Sequence, residues 1–290
     1  MKTMRFFLIV LVLSVSSLAC RIPGLGNHEP TTAPPVEVPV VPQATEEMPA
    51  PTETAEPTAE PVSDLTCTSI PSFEICMPQE LASALVASKM PKVEDNGMVG
   101  PWEIIPEHYQ IVPNGYPLTN TFLKPIIHVI PAADYAIMTE SALMTQNYLM
   151  ELMASRDPKP SSLPILPIIN AGSVFTARIG YVENEYLHGV EGLTQLAQSY
   201  SVINNNELIY TFQGITNDEK YWIGIILPIS QNSLPADQYG NPYSDLDQLM
   251  NQYQTYTSVI SDTLTNAPSD SFTPNYADIQ KVVESIQYIP

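Results

Sequence analysis

Apolar and polar positions follow two different periods along this chain, and together they predict a mixture of strands and helices. Short runs rich in β-branched and aromatic residues are typical of strands; they lie at residues 72–77, 122–130, 174–186, 190–200, 207–213 and 220–228. Apolar residues spaced three or four positions apart are typical of helices; they lie at residues 78–90, 134–155, 244–264 and 274–287.

The helix at 134–155 has the clearest pattern. Its apolar stripe repeats with the period of an α-helix and consists of Met138, Ala142, Thr145, Leu149 and Leu152. In the helix at 78–90, Leu81, Leu85 and Val86 are the apolar positions. For the last helix, Thr273 is expected as the N-cap and Pro274 as the first helical residue, because proline is tolerated there.

The strands at 207–213 and 220–228 predict a hairpin, and the second strand indicates how the sheet is covered. Tyr221, Ile223 and Ile225 alternate with Trp222 and Ile226, so both faces of this strand are apolar. A strand that is apolar on both faces is covered on both faces. The predicted fold class is therefore α+β, with a mainly antiparallel sheet sandwiched between helices.

Two segments also carry a family resemblance. Residues 210–216 (YTFQGIT) and 220–228 (KYWIGIILP) resemble the central hairpin of the PsbP/Mog1-like α/β/α sandwich proteins, and residues 272–286 are similar to the closing helix of that family. The chain also resembles uncharacterised lipoproteins of Chloroflexi-type bacteria that share an acidic Pro/Thr tether. The resemblance covers roughly residues 105–290 and implies a non-enzymatic binding or assembly module, without carrying over any particular partner.

The first nineteen residues have the three parts of a bacterial signal peptide. Lys2 and Arg5 precede an apolar run at residues 6–15 that is too short to span a bilayer. Cys20 follows a small residue, which resembles the bacterial lipobox, although Ser17 stands where that motif usually has leucine. The resemblance implies cleavage before Cys20 and acylation of its thiol. The alternative is an ordinary signal peptide followed by a chance cysteine.

A second segment, residues 20–64, begins with Cys20 and is then dominated by Pro, Thr, Glu, Ala and Val. Such a composition cannot bury enough apolar surface to offset chain entropy, so we expect a disordered tether. Proline and like charges favour an extended spacer. Recognition by a proline-binding domain and O-glycosylation at its threonines are alternatives. Residues 65–290 are then long enough for a single globular domain.

The charge of the chain limits its partners. Its formal net charge is −20, and its few basic residues form no patch along the sequence. Phosphate backbones and anionic head groups would be repelled. We therefore expect no nucleic-acid binding, and membrane attachment through the N-terminal lipid alone, in the extracytoplasmic cell envelope.

Two cysteines remain once Cys20 is assigned to the lipid. Cys67 and Cys76 are close in sequence, and an even pair in an oxidising compartment predicts a disulfide. The alternative is a redox pair, although the spacing is not C-x-x-C.

The sequence contains no recognisable catalytic motif. It has neither G-x-S-x-G nor H-E-x-x-H, and no glycine-rich phosphate loop precedes a helix. His128 alternates with isoleucines in a predicted strand, which favours a core residue over a metal ligand. We therefore predict no catalytic residues, no metal and no cofactor.

Aromatic residues are the remaining candidates for a functional surface. Tyr181, Tyr210 and Trp222 cluster on the predicted strands, and extracellular binding surfaces often use such side chains. The sequence thus favours a membrane-anchored binding or assembly module that has a protein partner and is not an enzyme. The alternatives are an extracytoplasmic hydrolase with dispersed site residues and a solute-binding partner of a transporter.

Overall fold

The structure is a computed structural model that describes residues 64–240 and 246–290. The predicted signal peptide, the predicted lipid attachment at Cys20 and all of the predicted tether except Asp64 lie outside the described residues.

Strands make up most of the regular structure. In chain order they are β1 (Leu65–Ile70), β2 (Phe73–Pro78), β3 (Ala84–Met90), β4 (His108–Asn114), β5 (Ile126–Pro131), β6 (Gly172–Ser173), β7 (Ala177–Glu183), β8 (Leu187–Thr194), β9 (Leu196–Ala197), β10 (Ile209–Thr216), β11 (Tyr221–Pro228), β12 (Ser230–Gln231), β13 (Phe272–Thr273) and β14 (Gln287–Tyr288). The helices are α1 (Ala132–Met138), α2 (Glu140–Ser155), α3 (Leu246–Asn266) and α4 (Tyr276–Glu284).

A seven-stranded sheet in the order β3-β4-β5-β11-β10-β8-β7 forms the centre of the fold. Its described pairings are all antiparallel. The predicted hairpin is confirmed as β10 and β11, in which Ile209 pairs with Pro228 and Ile215 with Trp222. A smaller sheet, β1-β2-β14, joins the two ends of the described chain.

Helices pack on both faces of the central sheet, as the pattern of β11 predicted. On one face, Leu149 and Leu152 of α2 share a buried cluster with Trp222. On the other, Ile279 of α4 lies in the cluster that contains Ile223. The predicted α+β class with a mainly antiparallel sheet is confirmed.

The predicted disulfide is also confirmed. Cys67 and Cys76 are bonded, and they pair directly across the β1–β2 hairpin. The hydroxyl of Ser285, directly after α4, donates to the carbonyl oxygen of Cys76 at 2.6 Å. The disulfide hairpin is thereby fixed to the C-terminal part of the fold.

The predicted helix at residues 78–90 is wrong. Residues 84–90 form β3, which pairs with β4 along its whole length. Leu85 is buried whereas Val86 is 46% exposed, so the two side chains lie on opposite sides, as in a strand. Pairing with β4 decides the structure here over local helical spacing.

Two helix boundaries also differ from the prediction. The segment at 134–155 is divided between α1 and α2 by Thr139, whose backbone is extended. The last helix begins at Tyr276 and is capped by Asn275, whose side chain accepts from the amide of Ala277. Thr273 pairs with Ser230 in the β12–β13 ladder instead of capping that helix.

Candidate ligand-binding groove

The three aromatic residues predicted as a binding surface do not form one. Tyr210 and Trp222 are fully buried and belong to the clusters on opposite faces of the sheet. Tyr181 is partly exposed, and its hydroxyl donates to the carbonyl oxygen of Asp157 at 2.7 Å. Tyr210 and Trp222 therefore offer no surface to a ligand in this structure.

Trp222 is instead part of a buried polar network. Its indole N–H donates to Oε1 of Gln213 at 2.8 Å, and the same oxygen accepts from the amide of Leu166 at 3.1 Å. A Cβ at Gly224 would stand 2.3 Å from the carbonyl oxygen of Leu166, so only glycine lets the proline-rich connection approach the sheet here. This network fixes residues 164–167 against the central hairpin.

Glu191 is a buried carboxylate on the other face. It accepts from the hydroxyl of Tyr210 and from the side-chain amide of Gln280, both at 2.6 Å. Burial, together with the negative charge of Glu191, raises the pKa of Tyr210 well above its usual value, so the hydroxyl stays a donor. In the sequence, the signal for this buried hydrogen-bonded group was a glutamate placed between Val190 and Gly192 in an apolar strand. Each of its two oxygens thus accepts a hydrogen bond from a neutral donor.

His128 is confirmed as a core residue, and it lies beside a second buried histidine. The rings of His108 and His128 are 5.5 Å apart, and both side chains are 5% exposed. Within the described chain, Nε2 of His108 and Nδ1 of His128 have no hydrogen-bond partner. Burial, then the neighbouring His108, lowers the pKa of His128 to about 3, and burial also lowers the pKa of His108. Both rings are therefore neutral near pH 7.

The part of the chain that the structure describes contains one group of three metal-ligand types, namely Cys67, Glu74 and Cys76. Both sulfur atoms are used in the disulfide. This cluster therefore has only the carboxylate of Glu74 left to bind an ion, and one carboxylate is too few for a dedicated metal site.

The candidate site is a groove of about 720 Å³ at one end of the central sheet. The start of β5, the end of β11 and the start of β10 meet there, since Ile126 pairs with Ile226 and Ile209 pairs with Pro228. Three connections line the groove, at residues 117–121, 205–207 and 236–239, together with Ser230. Its volume lies within the range of ligand pockets, about 300–1,000 Å³.

The backbone of Asn205 and Asn206 joins the three walls. The amide of Phe122 donates to the carbonyl oxygen of Asn206 at 2.8 Å, which attaches the first wall. The amides of Asn205 and Asn206 donate to the carbonyl oxygens of Pro235 and Ala236 at 2.9 and 3.1 Å, which attaches the third. The shape of the groove is thus set by main-chain hydrogen bonds.

Side chains beneath the groove hold its middle wall in place. Asn204 is fully buried, and its Oδ1 accepts from the amide of Asn206 at 3.0 Å. Gln195 accepts from the amide of Asn204 at 3.0 Å and donates to Glu207 at 2.7 Å. Asn205 is fixed by bonds to both backbone groups of Gln231. A wall held this way is preorganised, which lowers the entropy cost of binding.

Some polar groups that line the groove remain unpaired. Within the described residues, the side-chain amides of Asn120, Asn206 and Gln238 make no hydrogen bond, and the ring of Tyr239 is 85% exposed without a ring partner. The sequence reasoning missed this site. The signal in the sequence was the run of three asparagines at 204–206, which is unusual between two buried strands.

The two charged side chains in the described lining of the groove are both acidic. Glu207 and Asp237 contribute carboxylates. The nearby Lys124 directs its ammonium to the carbonyl oxygens of Thr119 and Thr121, both at 2.8 Å. These two hydrogen bonds help to fix the first wall.

The fold and the site thus define an α+β protein with a preorganised groove that polar and apolar residues line together. No family model matches the sequence, and comparison with curated proteins finds no match. Across residues 64–240 and 246–290, no helix has the length and apolar character that crossing a membrane requires.

Proposed function

We propose that this chain is an extracytoplasmic lipoprotein whose folded domain, residues 65–290, is a binding or assembly module without catalytic activity. The observation that carries the proposal is the groove, because its walls are fixed by hydrogen bonds while Asn120, Asn206 and Gln238 keep unpaired amides. Preorganised walls lower the entropy cost of binding, and a few polar groups that are free to bond can orient a ligand.

The anchor in this proposal is a lipid on Cys20, followed by a spacer to Asp64. Support comes from the apolar run at residues 6–15 and from the proline-rich, acidic composition that follows. Two or more acyl chains give stable membrane attachment, whereas one chain holds only marginally.

The finer architecture in this proposal is a PsbP/Mog1-like α/β/α sandwich. It is supported by the central hairpin β10–β11 and by the helices that pack on both faces of the sheet. That fold is used for binding and assembly in the family that the hairpin sequence resembles, which agrees with a non-enzymatic module.

The anchor predicts a simple result for cysteine substitutions. We expect the full chain, expressed in a bacterium fed an alkyne-bearing fatty acid, to take up the label, and Cys20→Ser to lose both label and membrane attachment. The double variant Cys67→Ser/Cys76→Ser is the matched control, because those cysteines are bonded to each other. Equal labelling of the Cys20→Ser variant would contradict the proposed anchor.

The absence of catalysis is tested separately. We expect the purified chain to show no turnover on panels of esterase, glycosidase and peptidase substrates. Glu207 and Asp237 are the carboxylates that a hydrolase would use in this groove. If turnover is observed and Glu207→Gln abolishes it without changing the urea midpoint, the result would contradict the binding module and support the hydrolase alternative.

A further inference from the structure

The unpaired groups of the groove select a ligand by its hydrogen-bonding chemistry. Each amide of Asn120, Asn206 and Gln238 has one acceptor oxygen and two donor hydrogens. A hydroxyl group is both a donor and an acceptor, so it can hydrogen-bond either to the oxygen or to the NH₂ group of an amide. The lining thus matches a ligand that carries many neutral hydroxyl groups.

Other ligand classes fit this lining less well. Anions would be repelled by the carboxylates of Glu207 and Asp237, and the described lining of the groove contains no Lys or Arg to attract them. Peptides added to a sheet edge need free backbone groups, but both amides of Asn205 and Asn206 and the carbonyl oxygen of Asn206 are already paired.

Tyr239 adds a surface of a different kind. Its ring is 85% exposed and lines the same groove as the unpaired amides. An exposed aromatic ring presents an apolar face beside a polar hydroxyl. The C–H faces of sugar rings pack on such a ring while their hydroxyl groups reach the amides.

We infer that the groove binds a neutral oligosaccharide, held by the amides of Asn120, Asn206 and Gln238 against the ring of Tyr239. This inference rests on the proposed binding function and specifies its ligand class. Binding is insensitive to salt, because no charged group of the ligand is recognised.

The test uses the full chain and a panel of neutral oligosaccharides built from glucose, mannose, galactose and N-acetylglucosamine. We expect at least one to bind in titration calorimetry, with affinity unchanged in 0.5 M NaCl, on the order of three times above ordinary ionic strength. Asn206→Ala and Tyr239→Ala should each weaken binding by roughly tenfold or more, which is the effect of losing about 1.4 kcal/mol.

Matched controls separate the groove from the general surface. Tyr200 is a second exposed tyrosine, 50% accessible and outside the groove, so Tyr200→Ala should leave the affinity unchanged. Asn206→Asp keeps the side-chain size and removes both donors, so it should weaken binding as Asn206→Ala does. Because these side chains are exposed or partly exposed, the urea midpoints should stay close to that of the unchanged protein.

The outcomes distinguish the ligand class from the function. Binding of a peptide panel that depends on Asn206, without saccharide binding, overturns the saccharide inference and leaves the binding module standing. If the protein hydrolyses a saccharide and Glu207→Gln abolishes that hydrolysis, the proposal of a non-catalytic module is overturned, while the saccharide ligand class stands. Saccharide binding that is equal in Asn206→Ala, Tyr239→Ala and Tyr200→Ala overturns the assignment to this groove.

Discussion

Trp222→Ala should destabilise the protein by about 3–5 kcal/mol, the usual cost of removing a buried aromatic side chain. Trp222 is fully buried on the central strand β11, in the cluster that joins the sheet to α2. Its loss leaves a cavity and removes the indole donor from Gln213. Since domains unfold at about 5–15 kcal/mol, this change takes a large share of the total. Urea unfolding followed by circular dichroism measures it.

Two further variants separate packing from hydrogen bonding. Trp222→Phe keeps most of the apolar volume and loses the donor, and Gln213 still accepts from the amide of Leu166, so a cost of about 1–2 kcal/mol is expected. The control is Trp102→Ala, because Trp102 is the other tryptophan and is 43% exposed, and about 0.5 kcal/mol or less is expected. Equal costs for Trp222→Ala and Trp102→Ala would show that Trp222 is not a core residue in solution.

Burial of Trp222 could be predicted from the sequence, because β11 is apolar at both odd and even positions. The same pattern does not show that Tyr210 and Trp222 lie on opposite faces of the sheet. Side chains on a strand alternate between faces, and Tyr210 pairs in register with Leu227, on the face opposite Trp222. Register between β10 and β11, rather than composition, decides which aromatics lie together, and register is not visible in one sequence.

Prediction failed where long-range pairing decides the outcome. Residues 84–90 have apolar spacing compatible with a helix, and only the pairing with β4 makes them a strand. The groove depends even more on long-range contacts, because its walls come from residues 117–121, 205–207 and 236–239. Strand order brings these connections to one end of the sheet, whereas local patterns describe each of them only as a polar loop.

Lowering the pH should destabilise the protein before most carboxylates titrate, because His108 and His128 are buried as neutral rings. Burial lowers the pKa of His128 from 6.5 to about 3. Between these two values the unfolded chain binds a proton that the folded chain does not, so stability falls as the pH falls. Each pH unit costs about 1.4 kcal/mol, which gives roughly 3 kcal/mol between pH 6.5 and pH 4.5. Burial lowers the pKa of His108 as well, which adds to the effect in the same direction.

The measurement is the free energy of unfolding in urea at intervals from pH 7.5 to pH 4.5. His128→Leu removes the buried ring whose Nδ1 has no partner among the described residues, so it should flatten most of the slope and cost little at pH 7.5. His188→Gln is the control, because that ring is less buried and its Nδ1 lies 3.1 Å from Oδ1 of Asn217. The series stops at pH 4.5 because Asp218 titrates at lower pH. Burial raises the pKa of Asp218, but the hydrogen bonds from Lys220, Thr216 and Tyr288 together lower it by more, so the pKa lies below its usual value. A slope that persists in His128→Leu and disappears in His188→Gln would place the titrating group at the surface.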